Sequence, residues 1–152
     1  MKELVARLKE ENLTIASIES LTGGMFAALV SGVAGASSVL KGSLVTYQTV
    51  IKEDVLHVDK KLIAEYGVIS KQCAHAMAVQ GKKMFTSDIV VSCSGNAGPD
   101  VMDGKPVGLV YMGVLVKEEV TTYEMIFKGS RNEIREQVCE YLKEKVLERL
   151  NK

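Results

Sequence analysis

The chain has two histidines in 152 residues, His57 and His75. Spacing predicts His57 late in one helix and His75 inside another, and neither follows a strand beside a candidate nucleophile, so a Ser–His–Asp triad is not expected. Its three cysteines, Cys73, Cys93 and Cys139, are odd in number, far apart and form no CxxC. That argues against a disulfide framework or a zinc site. No other cluster has metal-ligand spacing, so neither a metal nor another cofactor is expected. Charge of either sign is not in excess: Lys plus Arg and Asp plus Glu are 19 each. No global field therefore draws the chain to nucleic acid or anionic lipid. No apolar run approaches membrane-spanning length. Met1 leads directly into the charged amphipathic Lys2-Glu3-Leu4-Val5 with no signal-peptide core, so a reducing cytoplasm is the expected compartment.

What is present is ordinary globular material, 47% apolar and 25% charged, long enough for one domain over residues 1–152 with a sizeable core. Leu4, Val5 and Leu8 predict an opening helix over residues 2–11. Residues 13–18 read as a buried strand and 25–30 as a well-buried helix. A flexible turn over 32–38 leads to a second strand, 43–47. Helices are predicted over 49–58, with Val50, Ile51, Val55 and Leu56 inward, and over 60–66, ended by Gly67. Ser70 caps a helix over 71–85, with Ala74, Met77, Ala78 and Met84 on one face. The apolar run 88–94 has the character of a central strand covered on both faces. Strands over 106–116 and 120–127 form a late hairpin. Ser130-Arg131-Asn132-Glu133 fits a capping box opening the last helix, with Ile134, Val138, Leu142 and Val146 inward. This order predicts an α/β fold, a three-layer α/β/α sandwich with a mixed, largely parallel sheet and a late antiparallel hairpin.

Glu19-Ser20-Leu21-Thr22-Gly23-Gly24 stands at the first strand-to-helix turn. Such a turn aims free N–H groups and a helix dipole forward, and glycine allows close approach to the backbone. Ser20 there either acts on a ligand or merely caps the helix. A serine without histidine can be activated by a neutral lysine, whose pKa burial or a nearby cation lowers. Lys52 is the candidate, one helical turn beyond Tyr47; the alternative is a solvated surface lysine. Tyr47 either bridges Ser20 and Lys52 by hydrogen bonds or packs as a strand aromatic. The amides of Thr22, Gly23 and Gly24 are candidate oxyanion donors. Gly95-Asn96-Ala97-Gly98 offers a second set of amides for a phosphate or another part of the ligand, or is a plain turn before the hairpin. Arg131 and Arg135, one turn apart near a helix N-terminus, suit a phosphate or form surface pairs with Glu133 or Glu136. Ser20, Tyr47 and the 95–100 loop each follow a strand, so all can lie on one sheet edge, where α/β ligands bind.

Taken together, Glu19 to Gly24, Gly35-Ala36-Ser37-Ser38, Gly42 to Tyr47 with Lys52, Tyr66 to Ser70, Ser94 to Asp100, Pro106-Val107-Gly108, and Gly129-Ser130-Arg131 with Arg135 closely resemble the C-terminal domain of the CinA competence/damage-inducible family. The resemblance covers nearly the whole chain. It implies a metal-independent nicotinamide mononucleotide deamidase that releases ammonia and leaves nicotinate mononucleotide. It implies Ser20 as nucleophile, Lys52 as base, Tyr47 as the link between them, and Arg131 or Arg135 at the substrate. A three-layer fold, a small-molecule nucleotide as partner and self-association are implied with it. Thr49 stands where the family usually has Asn, and Asn96 where it usually has an apolar residue. The rival expectations are a nucleotide-binding module without catalysis and an interaction domain with a vestigial site.

Overall fold

The computed structural model describes residues 1–152. One five-stranded sheet runs in the order β2-β1-β3-β4-β5. β1 (Ile15–Glu19) lies between β2 (Leu40–Val45) and β3 (Ile89–Gly95) and is parallel to both. β4 (Leu109–Val116) and β5 (Glu119–Ile126) complete the sheet as an antiparallel hairpin. Every residue of β1 and all but the last of β3 are buried, as strands covered on both faces must be.

The cover comes from two helical layers. On one face α1 (Lys2–Glu10), α2 (Met25–Ser31) and α6 (Arg131–Leu150) set Leu4, Phe26 and Val138 against Ile15, Val91 and Met112. On the other, α4 (Lys60–Tyr66) and α5 (Lys71–Phe85) set Ile63 and Met77 against Ile18, Val90 and Leu115, together with Leu56, which follows α3 (Thr49–Asp54). The protein is thus a three-layer α/β/α sandwich on a mixed sheet. Strand alternation sends the odd positions of β1, ending at Glu19, toward α2, and the even ones toward α5. Two neighbouring residues, Glu19 and Ser20, thereby face opposite layers.

Side-chain caps set the starts of α5 and α6. Ser70 accepts from the Cys73 amide at 3.1 Å, and Ser130 and Glu133 form the reciprocal capping box. Ile134, Val138, Leu142 and Val146 are all buried. α5 is seated close to the sheet at Gly81, where a Cβ would stand 2.6 Å from Ile18 Cγ1 and 2.9 Å from Val90 Cγ1. No helix is long and apolar enough to cross a membrane.

Several local expectations are corrected. β2 ends at Val45, so Tyr47 lies in the link to α3 rather than in the strand. α3 stops at Asp54, and Val50 and Val55 are exposed while Lys52 and Leu56 point inward. Met84, expected inward, is 41% exposed. His57 sits in a turn after α3 at φ 62° rather than in the helix, and both histidines are exposed.

Candidate active site

The carboxyl ends of the parallel strands β1, β2 and β3 open on one edge of the sheet. A cleft there is bounded by Ser20 and Leu21 after β1, Tyr47, Thr49 and Lys52 after β2, and Gly95, Asn96 and Ala97 at the end of β3. Val68 and Ile69, just before α5, and Met102 add apolar wall, and Arg131 stands at the first turn of α6.

At its centre Lys52 Nζ lies 3.1 Å from Ser20 Oγ and 2.5 Å from the Thr46 carbonyl. Lys52 is 1% exposed and forms no ion pair with a carboxylate. Burial therefore lowers its pKa from the ordinary lysine value, against a smaller opposing effect of Cys73 and Cys93. Those two thiols are themselves pushed up to about 11 by burial, so at neutral pH they are uncharged and offer the amine little compensation. An uncharged amine keeps a lone pair. With the Thr46 carbonyl taking one N–H, the lone pair of the deprotonated amine would face the Ser20 hydroxyl.

Tyr47 is not between them. Its ring is 54% exposed, and its hydroxyl accepts from Arg131 Nη2 at 2.6 Å. Ser20 and Lys52 meet directly, so the expected bridge is replaced by a contact across the mouth of the cleft. Arg131 also donates to the Gly98 carbonyl at 2.5 Å, which joins the β2–α3 link, the 95–100 loop and α6 at one point. Arg135, the other candidate for an anion, is committed elsewhere. Its guanidinium donates to the Leu21 and Thr22 carbonyls and to Asn132 Oδ1 at 3.0, 2.9 and 2.9 Å. Arg135 fastens the turn after Ser20 and does not line the cleft.

The glycine turn also differs from the expectation of an open amide cradle. Gly23 and Gly24 have φ of 58° and 97°, in the left-handed region that favours glycine. Yet the Gly23 amide donates to the Ser20 carbonyl, and the Gly24 amide donates to Glu19 Oε2. The Thr22 hydroxyl donates to the same Glu19 Oε2 at 2.7 Å. The Gly23 and Gly24 amides and the Thr22 hydroxyl are thus occupied by the protein itself. The Leu21, Thr22 and Ala97 amides donate to no backbone carbonyl, and of these three residues Leu21 and Ala97 bound the cleft.

In the second loop the Asn96 side chain is buried and tied into its own segment. Its Oδ1 accepts from the Gly98 amide at 2.9 Å, and its Nδ2 donates to the Asp100 and Lys105 carbonyls at 2.9 and 3.4 Å. Asn96 is a loop staple, and Gly98 supplies a carbonyl rather than an amide to the rim. Val68, Ile69, Met102, the Leu21 amide and Glu19 escape the sequence reading. Val68 and Ile69 follow the Gly67 break, where a chain turning toward the Ser70 cap is the available hint. Glu19 gives a plainer signal, an acid closing a strand that is otherwise uncharged and fully buried.

A sequence profile of the CinA C-terminal domain matches residues 1–150. Two relatives named as competence-damage inducible proteins are 39% identical over 141 residues (Bacillus pumilus) and 42% identical over 135 residues (Bacillus mycoides), covering 93% and 88% of this chain. The chain spans only about a third of the length of these relatives, 34% and 33%. Among solved structures, the competence/damage inducible protein of Agrobacterium tumefaciens superposes with a TM-score of 0.91 at 30% identity, covering 99% of this chain and 95% of that one. The competence damage-inducible protein A of Klebsiella pneumoniae does so at 0.94 and 26%, covering 99% and 96%. With the family profile matched from end to end and the fold reproduced in solved relatives, the chain belongs to the CinA C-terminal domain family.

Proposed function

We propose that the protein hydrolyses the carboxamide of nicotinamide mononucleotide to nicotinate mononucleotide and ammonia. One observation carries the reading: a buried lysine without a carboxylate partner, 3.1 Å from a serine hydroxyl in a cleft. Lys52 takes the Ser20 proton as Oγ attacks the carboxamide carbon. The proton on Lys52 then passes to the departing nitrogen, the C–N bond breaks, and ammonia leaves an acyl ester on Ser20. Water, giving its proton to the same amine, cleaves the ester to the acid and restores the serine.

The oxyanion is assigned to the Leu21 and Ala97 amides, which are unengaged and belong to residues bounding the cleft. Arg131 is the cation at the rim and is assigned to the phosphate, for which it exchanges its bond to Tyr47. Val68 and Ile69 offer apolar wall to the pyridine ring. Asn96, turned into its own loop, leaves the space before Ser20 free.

The test is incubation of purified protein with nicotinamide mononucleotide, assaying ammonia and the acid product together. Turnover is expected from the wild type and not from a folded Ser20→Ala variant. Undiminished ammonia release by that variant refutes the nucleophile. Binding without ammonia from the wild type selects a nucleotide-binding module instead, and failure to bind any pyridine nucleotide selects an interaction domain.

A further inference from the structure

Glu19 is 1% exposed, yet six donors converge on its carboxylate. Oε2 accepts from Thr22 Oγ1 at 2.7 Å and from the Gly24 and Phe26 amides at 3.0 and 3.1 Å. Oε1 accepts from Ser17 Oγ at 2.8 Å, the Ala27 amide at 3.0 Å and Ser43 Oγ at 3.4 Å. α2 has no side-chain cap of its own, since Gly24 occupies that position. Glu19 therefore reaches across from the strand to satisfy the first amides of α2, so the anion that such a turn attracts is already part of the chain.

Its main chain reaches the other member of the pair. The Glu19 carbonyl accepts from the Thr46 amide at 2.7 Å and from Thr46 Oγ1 at 3.4 Å, and the Thr46 carbonyl in turn accepts from Lys52 Nζ. Glu19 precedes Ser20 directly. It thus stands between the supports of both groups while its carboxylate lies on the opposite face of the sheet, remote from the substrate.

We propose that Glu19 is the positioning residue of the Ser20–Lys52 pair, its carboxylate fixing the turn from which Oγ and the Leu21 amide are presented. The proposal rests on the reading of Ser20 as nucleophile. A glutamine matches the shape but not the chemistry. Whichever way its amide is turned, the NH₂ faces a backbone N–H, of Ala27 on one side or of Gly24 and Phe26 on the other. Aspartate keeps both acceptors on a shorter arm.

The experiment compares wild type, Glu19→Gln, Glu19→Asp and Thr22→Val. Active serines are titrated with a fluorophosphonate, and kcat and KM for nicotinamide mononucleotide are expressed per titrated site. That correction removes any unfolded fraction. Glu19→Gln is expected to lose about 100-fold in kcat, the scale of a misplacement near 1 Å, with KM within about threefold. Glu19→Asp recovers part of that loss. Thr22→Val, which removes only the 2.7 Å donor, falls about tenfold and keeps the test open if the glutamine variant does not fold. Wild-type kcat per site in the glutamine variant, or in Thr22→Val where the former is unfolded, overturns the role of Glu19 alone. A wild type that is neither labelled nor active overturns the assignment of Ser20, and this proposal with it.

Discussion

Tyr47 and Arg131 hold one another across the mouth of the cleft, hydroxyl to guanidinium at 2.6 Å, while Ser20 and Lys52 meet directly, at 3.1 Å, without the phenol between them. A phenol placed there competes with an incoming anion for the same guanidinium. Tyr47→Phe is accordingly expected to alter KM more than kcat. Arg131→Ala is expected to raise KM by about 10- to 100-fold, the scale of a lost hydrogen bond to a charged group. Steady-state kinetics decides the point. A fall in kcat beyond about 100-fold in Tyr47→Phe at constant KM would return the phenol to the proton path.

Rate should follow the protonation of Lys52. Burial lowers its pKa, and only the uncharged amine accepts the serine proton. The kcat/KM of the wild type should therefore climb with pH through a single ionisation below the ordinary lysine value of 10.5 and then level off. Lys52→Arg, which cannot deprotonate in this range, should be inactive at every pH. A profile that falls as pH rises from 6 to 9, with Lys52 the only variable, would contradict the assignment.

The same burial costs stability. An unfolded Lys52 binds a proton that the folded chain resists, so between the lowered pKa and 10.5 stability rises with pH. Lys52→Met should abolish turnover yet raise stability at pH 7, partly offset by the orphaned Thr46 carbonyl. The gain should shrink as pH approaches 10.5. Denaturant melts of the two proteins at pH 7 and pH 10 provide the comparison.

Further up the scale the cysteines reverse the trend. Burial pushes Cys73 and Cys93 up to about 11 from 9.0, and Cys139 higher still. The folded chain holds these protons after the unfolded chain has lost them. Their contribution is complete below pH 9 and lost as pH rises toward 11, about 2–3 kcal/mol for each of the first two. A Cys73→Ala/Cys93→Ala variant should begin less stable through lost packing but show a shallower decline over that interval, as melts from pH 8 to pH 11 would reveal.

Asn96 governs the second loop from within. Asn96→Ala leaves the Gly98 amide and the Asp100 carbonyl without their partner, at a cost of about 1–3 kcal/mol. Because the Gly98 carbonyl holds Arg131, the variant should also raise KM by severalfold, with kcat less affected. Thermal melts and substrate titration measure the two effects separately.

The layers, the sheet edge and the turn bearing Ser20 were legible because each rests on a long or repeated pattern. β3 shows a continuous apolar run, and α6 shows both its capping box and four evenly spaced core residues. α3 defeats that logic. Six residues make fewer than two turns, so Val50 and Val55 suggest one inward face while Lys52 takes another. The fate of Arg135 was unreadable for a different reason. Its acceptors, the carbonyls of Leu21 and Thr22, are more than a hundred positions away and carry no sequence signature. Glu19 was visible within its motif, but only the converging amides of α2 show that the turn is filled from inside.

The bare Cα of Gly81 lets α5 rest against Ile18 and Val90. Ser70, at the other end of that helix, lies eleven residues back, roughly 16 Å at the ordinary helical rise. Val68 and Ile69 are the last residues before it. The height at which a distant glycine lets the helix lie thus bears, as along a lever, on the apolar wall of the cleft. One methyl group added at the fulcrum would tilt that wall without touching Ser20 or Lys52.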